Sequence, residues 1–137
     1  MKMDASAFVA EPALIRALQQ YASPIECDRE VTLFKQGDAP TGLFIFHAGH
    51  VRLTMQSQAG GLIMDMPAAE DSLLGLPALI GGLGYSLTAT ASVGAQVSVL
   101  SREKLDELML NDHSVSMMIL RVLAAEVRTA RMALAAN

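Results

Sequence analysis

Between residues 25 and 100 the chain alternates short apolar runs with turn residues. The runs lie at 31–34, 43–46, 51–55, 62–66, 88–91 and 97–100. Between them stand Gln36-Gly37-Asp38, Ala48-Gly49-His50 and Ala59-Gly60-Gly61. Many short strands broken by glycine turns at this spacing predict a β-sandwich or barrel. On either side the apolar period lengthens to that of a helix. Residues 12–21 (PALIRALQQY) put Leu14, Ile15 and Leu18 on one face. Pro12 suits the first turn of that helix, and Pro24 lies just past its end. The few residues before it are expected to be mobile. After residue 100, Ser101 is placed to cap a helix reaching about residue 110, with Glu103 near its positive end. Leu105, Leu108 and Met109 form its apolar face, and Asn111-Asp112-His113-Ser114 interrupts the pattern.

The last predicted helix covers residues 114–134, about 30 Å at 1.5 Å per residue. It carries two apolar stripes. Val115, Met118, Val122, Ala125, Thr129 and Met132 recur at alternating steps of three and four, a heptad seam. Ile119, Leu123, Val127, Ala130 and Leu134 form a second stripe beside it. One stripe satisfies packing on the chain's own body. Two stripes call for a second surface, which predicts a parallel homodimer through this helix; the heptad stripe is the candidate seam, and the pattern is compatible with either stripe facing the partner.

The middle of the chain holds its most unusual stretch, residues 73–91 (LLGLPALIGGLGYSLTATA), which contains no charged residue and no histidine. Pro77 suits a first helical turn, and Gly81, Gly82 and Gly84 suit a helix stop and a tight loop. The stretch is therefore expected to run turn, one or two helical turns, loop, then a strand over 86–91. A helix start beside glycine is a candidate anion cradle.

This stretch resembles the phosphate-binding cassette of cyclic-nucleotide-binding domains, found in Crp/Fnr-type transcription regulators and in regulatory subunits of cyclic-AMP-dependent kinases. That cassette runs roughly G-E-L-A-L, a short spacer, then R-S/A-A-T. Here Gly75-Leu76-Pro77-Ala78-Leu79 and Tyr85-Ser86-Leu87-Thr88 stand in its place. A second stretch, LFKQGDAPTGLFIFHAGHVRL, is similar to another family pattern through Phe34, Gly37, Asp38, Leu43, Phe44, Ile45, Gly49, Val51 and Leu53. Ser101-Arg102-Glu103-Lys104-Leu105 is like the family's opening of its C-terminal helices. The resemblance spans about residues 25–134. It implies one domain over residues 1–137: an N-terminal helical segment (1–24), a jelly-roll β-roll of about eight strands (25–100) and C-terminal helices (101–137), the long one dimerising. It also implies a ligand site at Gly75, Leu76, Pro77, Ala78, Tyr85 and Ser86.

In the family the cassette's Glu holds the ribose and its Arg pairs with the cyclic phosphate. Leu76 and Tyr85 stand at those positions. A phosphate taken out of water needs a counter-charge or a dense set of donors. Losing one such contact costs roughly a few kcal/mol, on the order of a hundredfold in affinity. The resemblance thus predicts a sensor with a degenerate cassette that does not bind cyclic AMP in the usual way. Two alternatives are a protein-interaction module without a small ligand and the effector domain of a longer DNA-binding regulator. The family's helix-turn-helix is not among these residues, so this chain alone is expected not to bind DNA.

Composition narrows the rest. The 137 residues suffice for one domain with a real core, and 52% hydrophobic against 18% charged content argues against disorder. A formal net charge of −4 leaves no electrostatic footprint for nucleic acid. Cys27, the single cysteine, excludes an internal disulfide, fits a reducing cytoplasm and is expected in a strand as a small buried hydrophobe. Residues 1–10 (MKMDASAFVA) are too polar and broken to read as a signal peptide, and no apolar run reaches about 18 residues, so a cytoplasmic protein with no membrane contact is expected. His47, His50 and His113 lack partners for a metal set and are expected as surface turn residues. No cofactor and no metal are expected. No P-loop, H-E-x-x-H or G-x-S-x-G motif occurs, and Asp65, Glu70 and Asp71 look like solvated acids. No catalytic residue is assigned and no enzyme is expected.

Overall fold

The computed structural model describes residues 3–136. A short 3-10 turn (Ala5–Phe8) and α1 (Pro12–Gln19) precede the roll, whose eight strands are β1 (Ser23–Ile25), β2 (Val31–Phe34), β3 (Gly42–Ala48), β4 (Val51–Gln56), β5 (Leu62–Pro67), β6 (Ser72–Leu74), β7 (Thr88–Ala91) and β8 (Gln96–Ser101). The helix α2 (Leu76–Gly81) lies between β6 and β7, and α3 (Arg102–Asn111) and α4 (His113–Ala135) follow the roll. Two antiparallel sheets form, in the orders β1-β8-β3-β6 and β2-β7-β4-β5. Every strand expected from the apolar runs is present. The two that the runs did not show, β1 and β6, have three residues each, too short for a visible period.

The sheets differ in what covers them, and the sequence follows. In β4, Val51 and Leu53 are buried and Arg52 is exposed, the alternation of a sheet with one wet face. In β3 the run Leu43-Phe44-Ile45-Phe46 is buried throughout, because its sheet is covered on both sides. Phe44 and Phe46 point into the core between the sheets, with Phe34, Val51, Leu53, Met64, Leu74 and Val97. Leu43 and Ile45 point the other way, into a second core with Leu14, Leu18, Leu100, Leu105, Val115 and Ile119 from the helices.

The helix ends follow their capping residues. Ser101 accepts a hydrogen bond from the Lys104 N–H at 3.2 Å, as expected. Asp112 ends α3 and opens α4, its carboxylate accepting from the Val115 N–H at 3.2 Å.

Three expectations change. Residues 1 and 2, where the expected mobility begins, lie outside the described residues, but from Asp4 onward the segment is held down. Asp4 caps the 3-10 turn through the Ser6 N–H, Ala7 and Phe8 are buried, and the Ala10 N–H donates to Asp71 O at 3.0 Å. Two buried side chains and a backbone tether outweigh chain-end entropy there. Cys27 is buried but lies in the connection between β1 and β2, not in a strand. On α4, the first half of the heptad stripe (Val115, Met118 and Val122) is buried against the chain's own body. Of its second half, Ala125 and Met132 are exposed and Thr129 is half-buried. The helix leans on the roll along Val115, Met118, Ile119, Val122, Glu126 and Ala133, so those seam positions already have a partner.

Ile45 ties β3 to the helical layer and has no exposed surface. Ile45→Ala is expected to destabilise the fold by about 2–5 kcal/mol. Leu62→Ala, at an exposed site, is expected to stay within about 0.5 kcal/mol. Urea denaturation of both variants checks this.

Candidate functional site

The cassette folds as its glycines dictate. Gly75 takes a left-handed conformation (φ 98°) that turns the chain from β6 into α2, with Pro77 in the first helical turn. A Cβ at Gly75 would stand 2.8 Å from the Tyr85 ring, so this position must stay bare. Gly82 ends the helix, its N–H donating to Ala78 O at 2.9 Å. At Gly84 an added Cβ would meet Gly37 O at 2.8 Å, because two loops pass here backbone to backbone.

Tyr85 is where those loops are joined. Its N–H donates to Asp38 O at 2.9 Å, and its carbonyl accepts from the Gly37 N–H at 2.7 Å. Its hydroxyl donates to Gly42 O at 2.8 Å and accepts from the N–H groups of Thr41 and Gly42 at 3.0 and 3.2 Å. Its ring stacks on Phe34, with centroids 4.1 Å apart. The hydroxyl has spent its hydrogen-bonding capacity inside the protein.

A cavity opens beside this arrangement. It is lined by Phe8, Phe34, Leu74, Gly75, Pro77, Ala78, Tyr85, Ser86, Leu87 and Glu126. Five of the six expected ligand-site residues therefore come together, with Pro77 and Ser86 exposed at its rim. Leu76 does not join them. Its side chain is fully buried in the second core, with Leu43, Leu73 and Leu79. The space open to the centre of a water molecule is about 20 Å³, room for a single water. Phe8, brought by the 3-10 turn, forms part of the wall and is buried.

Glu126 was not among the expected site residues. It reaches the cavity from α4, and the residue is only 9% exposed. Its Oε2 is buried with no hydrogen-bond partner. Burial away from water pushes its carboxyl up from the usual 4.5 to about 8. Its signal in the sequence is an acid standing four residues after Val122 on the stripe that faces the body.

The other candidate groups have local partners or lie in solvent. Arg52 forms an ion pair with Asp65, which holds that carboxyl below its ordinary range. Glu70 accepts from the Gly49 N–H at 3.1 Å. His47 Nε2 lies 3.2 Å from Ser98 Oγ, while His50 and His113 are exposed. Among the described residues no group of three His, Cys, Asp or Glu is placed to hold a metal, and no helix is long and apolar enough to cross a membrane.

A carboxyl whose folded-state value lies above its unfolded one binds more protons folded than unfolded. Its contribution to stability therefore falls as pH rises from about 4.5 to about 8. The expected slope from this group is about 1.4 kcal/mol per pH unit. Glu126→Gln is expected to remove that slope and to raise the melting temperature at pH 8, as thermal unfolding from pH 4 to 9 checks.

Comparison with known proteins agrees with this architecture. The cyclic nucleotide-binding domain family matches residues 24–112. The catabolite activator protein of Thermus thermophilus superposes with a TM-score of 0.74 at 23% identity, over 90% of this chain and 58% of that one. The chain thus spans less than two thirds of that protein. A cyclic nucleotide-binding domain from Methylobacillus flagellatus gives 0.68 at 25% identity, over 89% of this chain and 68% of that one. The N-terminal domain of a transcriptional regulator from Streptomyces coelicolor gives 0.66 at 23% identity, over 90% and 87%. No curated protein sequence matches the chain. A family match running from β1 through α3, on the jelly-roll fold of Crp/Fnr-type regulators, makes this chain a member of the cyclic nucleotide-binding domain family.

Proposed function

We propose that the chain is a non-enzymatic sensing and dimerisation module whose cassette no longer takes a cyclic nucleotide in the usual way. The observation that carries this is the wall of the cavity: among the described residues it holds one carboxyl and no Arg, Lys or His. Tyr85, in the place of the family's Arg, is bonded to Gly42 and Thr41, and Leu76, in the place of its Glu, faces the helical core. A cyclic phosphate would lose its water, find no counter-charge and lie near an acid. The sensing step would be a shift of α4 against the roll, since α4 supplies Glu126 to the wall. Such a shift needs a ligand that binds the two arrangements unequally.

Calorimetric titration with cyclic AMP and cyclic GMP is expected to give no heat up to millimolar nucleotide. Binding near micromolar would overturn the degenerate-cassette reading. The closed state of the cavity, with room for one water, also favours a second reading, an interaction module that senses nothing small.

The dimer surface consistent with the burial of α4 is its outward stripe. Met117, Leu120, Ala124, Val127, Arg131 and Leu134 follow steps of three and four, and all are exposed. A heptad spacing of mostly apolar exposed residues fits a two-helix seam. Leu120→Glu with Val127→Glu is expected to give monomers in sedimentation velocity, while Ala125→Glu, off this stripe, leaves the dimer intact.

A further inference from the structure

The carboxyl that α4 brings to the cavity also points to what the cavity would hold. Glu126 is buried among Phe8, Leu74, Ala78 and Leu87, and one of its oxygens has no partner. We infer that this cavity, taken as the sensing site of the preceding section, receives a small organic cation: a protonated primary amine on a compact hydrocarbon body. Glu126 holds the ammonium head, and Phe34, Leu74, Ala78 and Leu87 enclose the apolar tail.

Three ligand chemistries can be weighed against this wall. An anion meets no positive side chain among the described residues, so it gives up its water for no counter-charge, and it opposes ionisation of the carboxyl. An alcohol satisfies the lone oxygen but brings no charge. An ammonium brings both a donor and the missing counter-charge, and charge-assisted hydrogen bonds are roughly twice as strong as neutral ones. Among the described residues no neighbour competes for the carboxyl. The 3-10 turn brings only Asp4, exposed and bonded to the Ser6 N–H. The residues of β6 and α2 carry no charge, and neither does Phe34 of β2. The loop before β7 brings Tyr85, whose hydroxyl is spent. On α4 itself, Arg121 pairs with Glu11, while Arg128 and Arg131 line the outer groove.

The proton balance makes the inference specific. Burial keeps the empty site's carboxyl protonated at neutral pH. The amine arrives already protonated, so forming the ion pair releases one proton to solvent. Affinity must therefore rise with pH until the carboxyl is ionised in the free protein, near 8, and fall again only where the amine loses its own proton, near 10. The space holds a single water, so even an amine of a few heavy atoms enters only if the wall gives way, and Phe8, carried by the short 3-10 turn, is the wall residue assigned to move.

The test uses three probes of one carbon skeleton: isobutylamine, isobutanol and isobutyrate. Each is titrated into the wild-type chain and into Phe8→Ala and Glu126→Gln, followed by two-dimensional NMR between pH 6 and 8. The amine is expected to bind about tenfold tighter than the alcohol at pH 7 and to tighten by up to about tenfold per pH unit toward pH 8. Isobutyrate is expected not to bind, and Glu126→Gln to bring the amine down to the level of the alcohol. Alcohol binding equal to the amine, or amine binding independent of pH, would overturn the cation while leaving a sensing cavity. Preference for isobutyrate would overturn it in favour of an anionic ligand. No shift of any cavity residue with any probe, in wild type or Phe8→Ala, would overturn both this inference and the sensing role, leaving the interaction module.

Discussion

The hydrogen bonds around Tyr85 hold together the cavity end of the roll. They close two loops upon each other, one carrying Gly37, Asp38, Thr41 and Gly42, the other carrying Gly84 and Tyr85. The ring beneath them joins the core between the sheets by stacking on Phe34, which in turn lies 5.4 Å from Phe44. Because the ring also fills the space over Gly75, the turn that launches α2 is set by the same residue. The cavity wall is thus a by-product of a packing solution. Buried backbone groups that would otherwise need water or a ligand are satisfied by a phenol, and each such group left unpaired would cost about 1–3 kcal/mol.

Much of this was legible in the sequence, for a physical reason. Strands with one wet face alternate, and strands covered on both faces read as continuous apolar runs, so β3, β4 and β8 declare themselves. The caps Ser101 and Asp112 and the turn glycines mark their own boundaries. Three-residue strands have no period to read, and β1 and β6 emerge only from pairing with β8 and β3. The site was half legible. Gly75, Pro77, Ala78, Tyr85 and Ser86 sit in one continuous stretch that the family resemblance picks out, and the fold brings them to one cavity. Phe8 and Glu126 come from opposite ends of the chain, and only the fold brings them to the same wall. For Leu76 and for the first half of the α4 stripe, residue type was read correctly as apolar. Which of two apolar surroundings each would enter is a question of helix phase, and two adjacent stripes leave phase open.

The cavity also carries an unresolved electrostatic tension. A domain with this much apolar surface buried has few places where an ionisable group can be hidden without a partner, and Glu126 occupies one of them. A hydrophobic residue of similar volume there would extend the line of Val122 and Ala133 along the body-facing side of α4. The carboxyl instead leaves a buried oxygen without a partner beside Phe8 of the 3-10 turn, a cost that an apolar side chain would not carry.

The strand β3 extends this point to the whole molecule. Its side chains feed two cores in strict alternation, Leu43 and Ile45 to the helices, Phe44 and Phe46 to the roll. The two layers therefore share a single backbone, with no lubricating plane between them. Interiors packed as densely as crystals do not absorb a displacement; they pass it on. A tilt of α4 cannot be accommodated by sliding the helical layer over an indifferent sheet, because the residues it grips are rigidly bonded to those that fill the barrel. Mechanically the domain behaves less like a lid on a box than like a bimetallic strip, in which a change on one face bends the other.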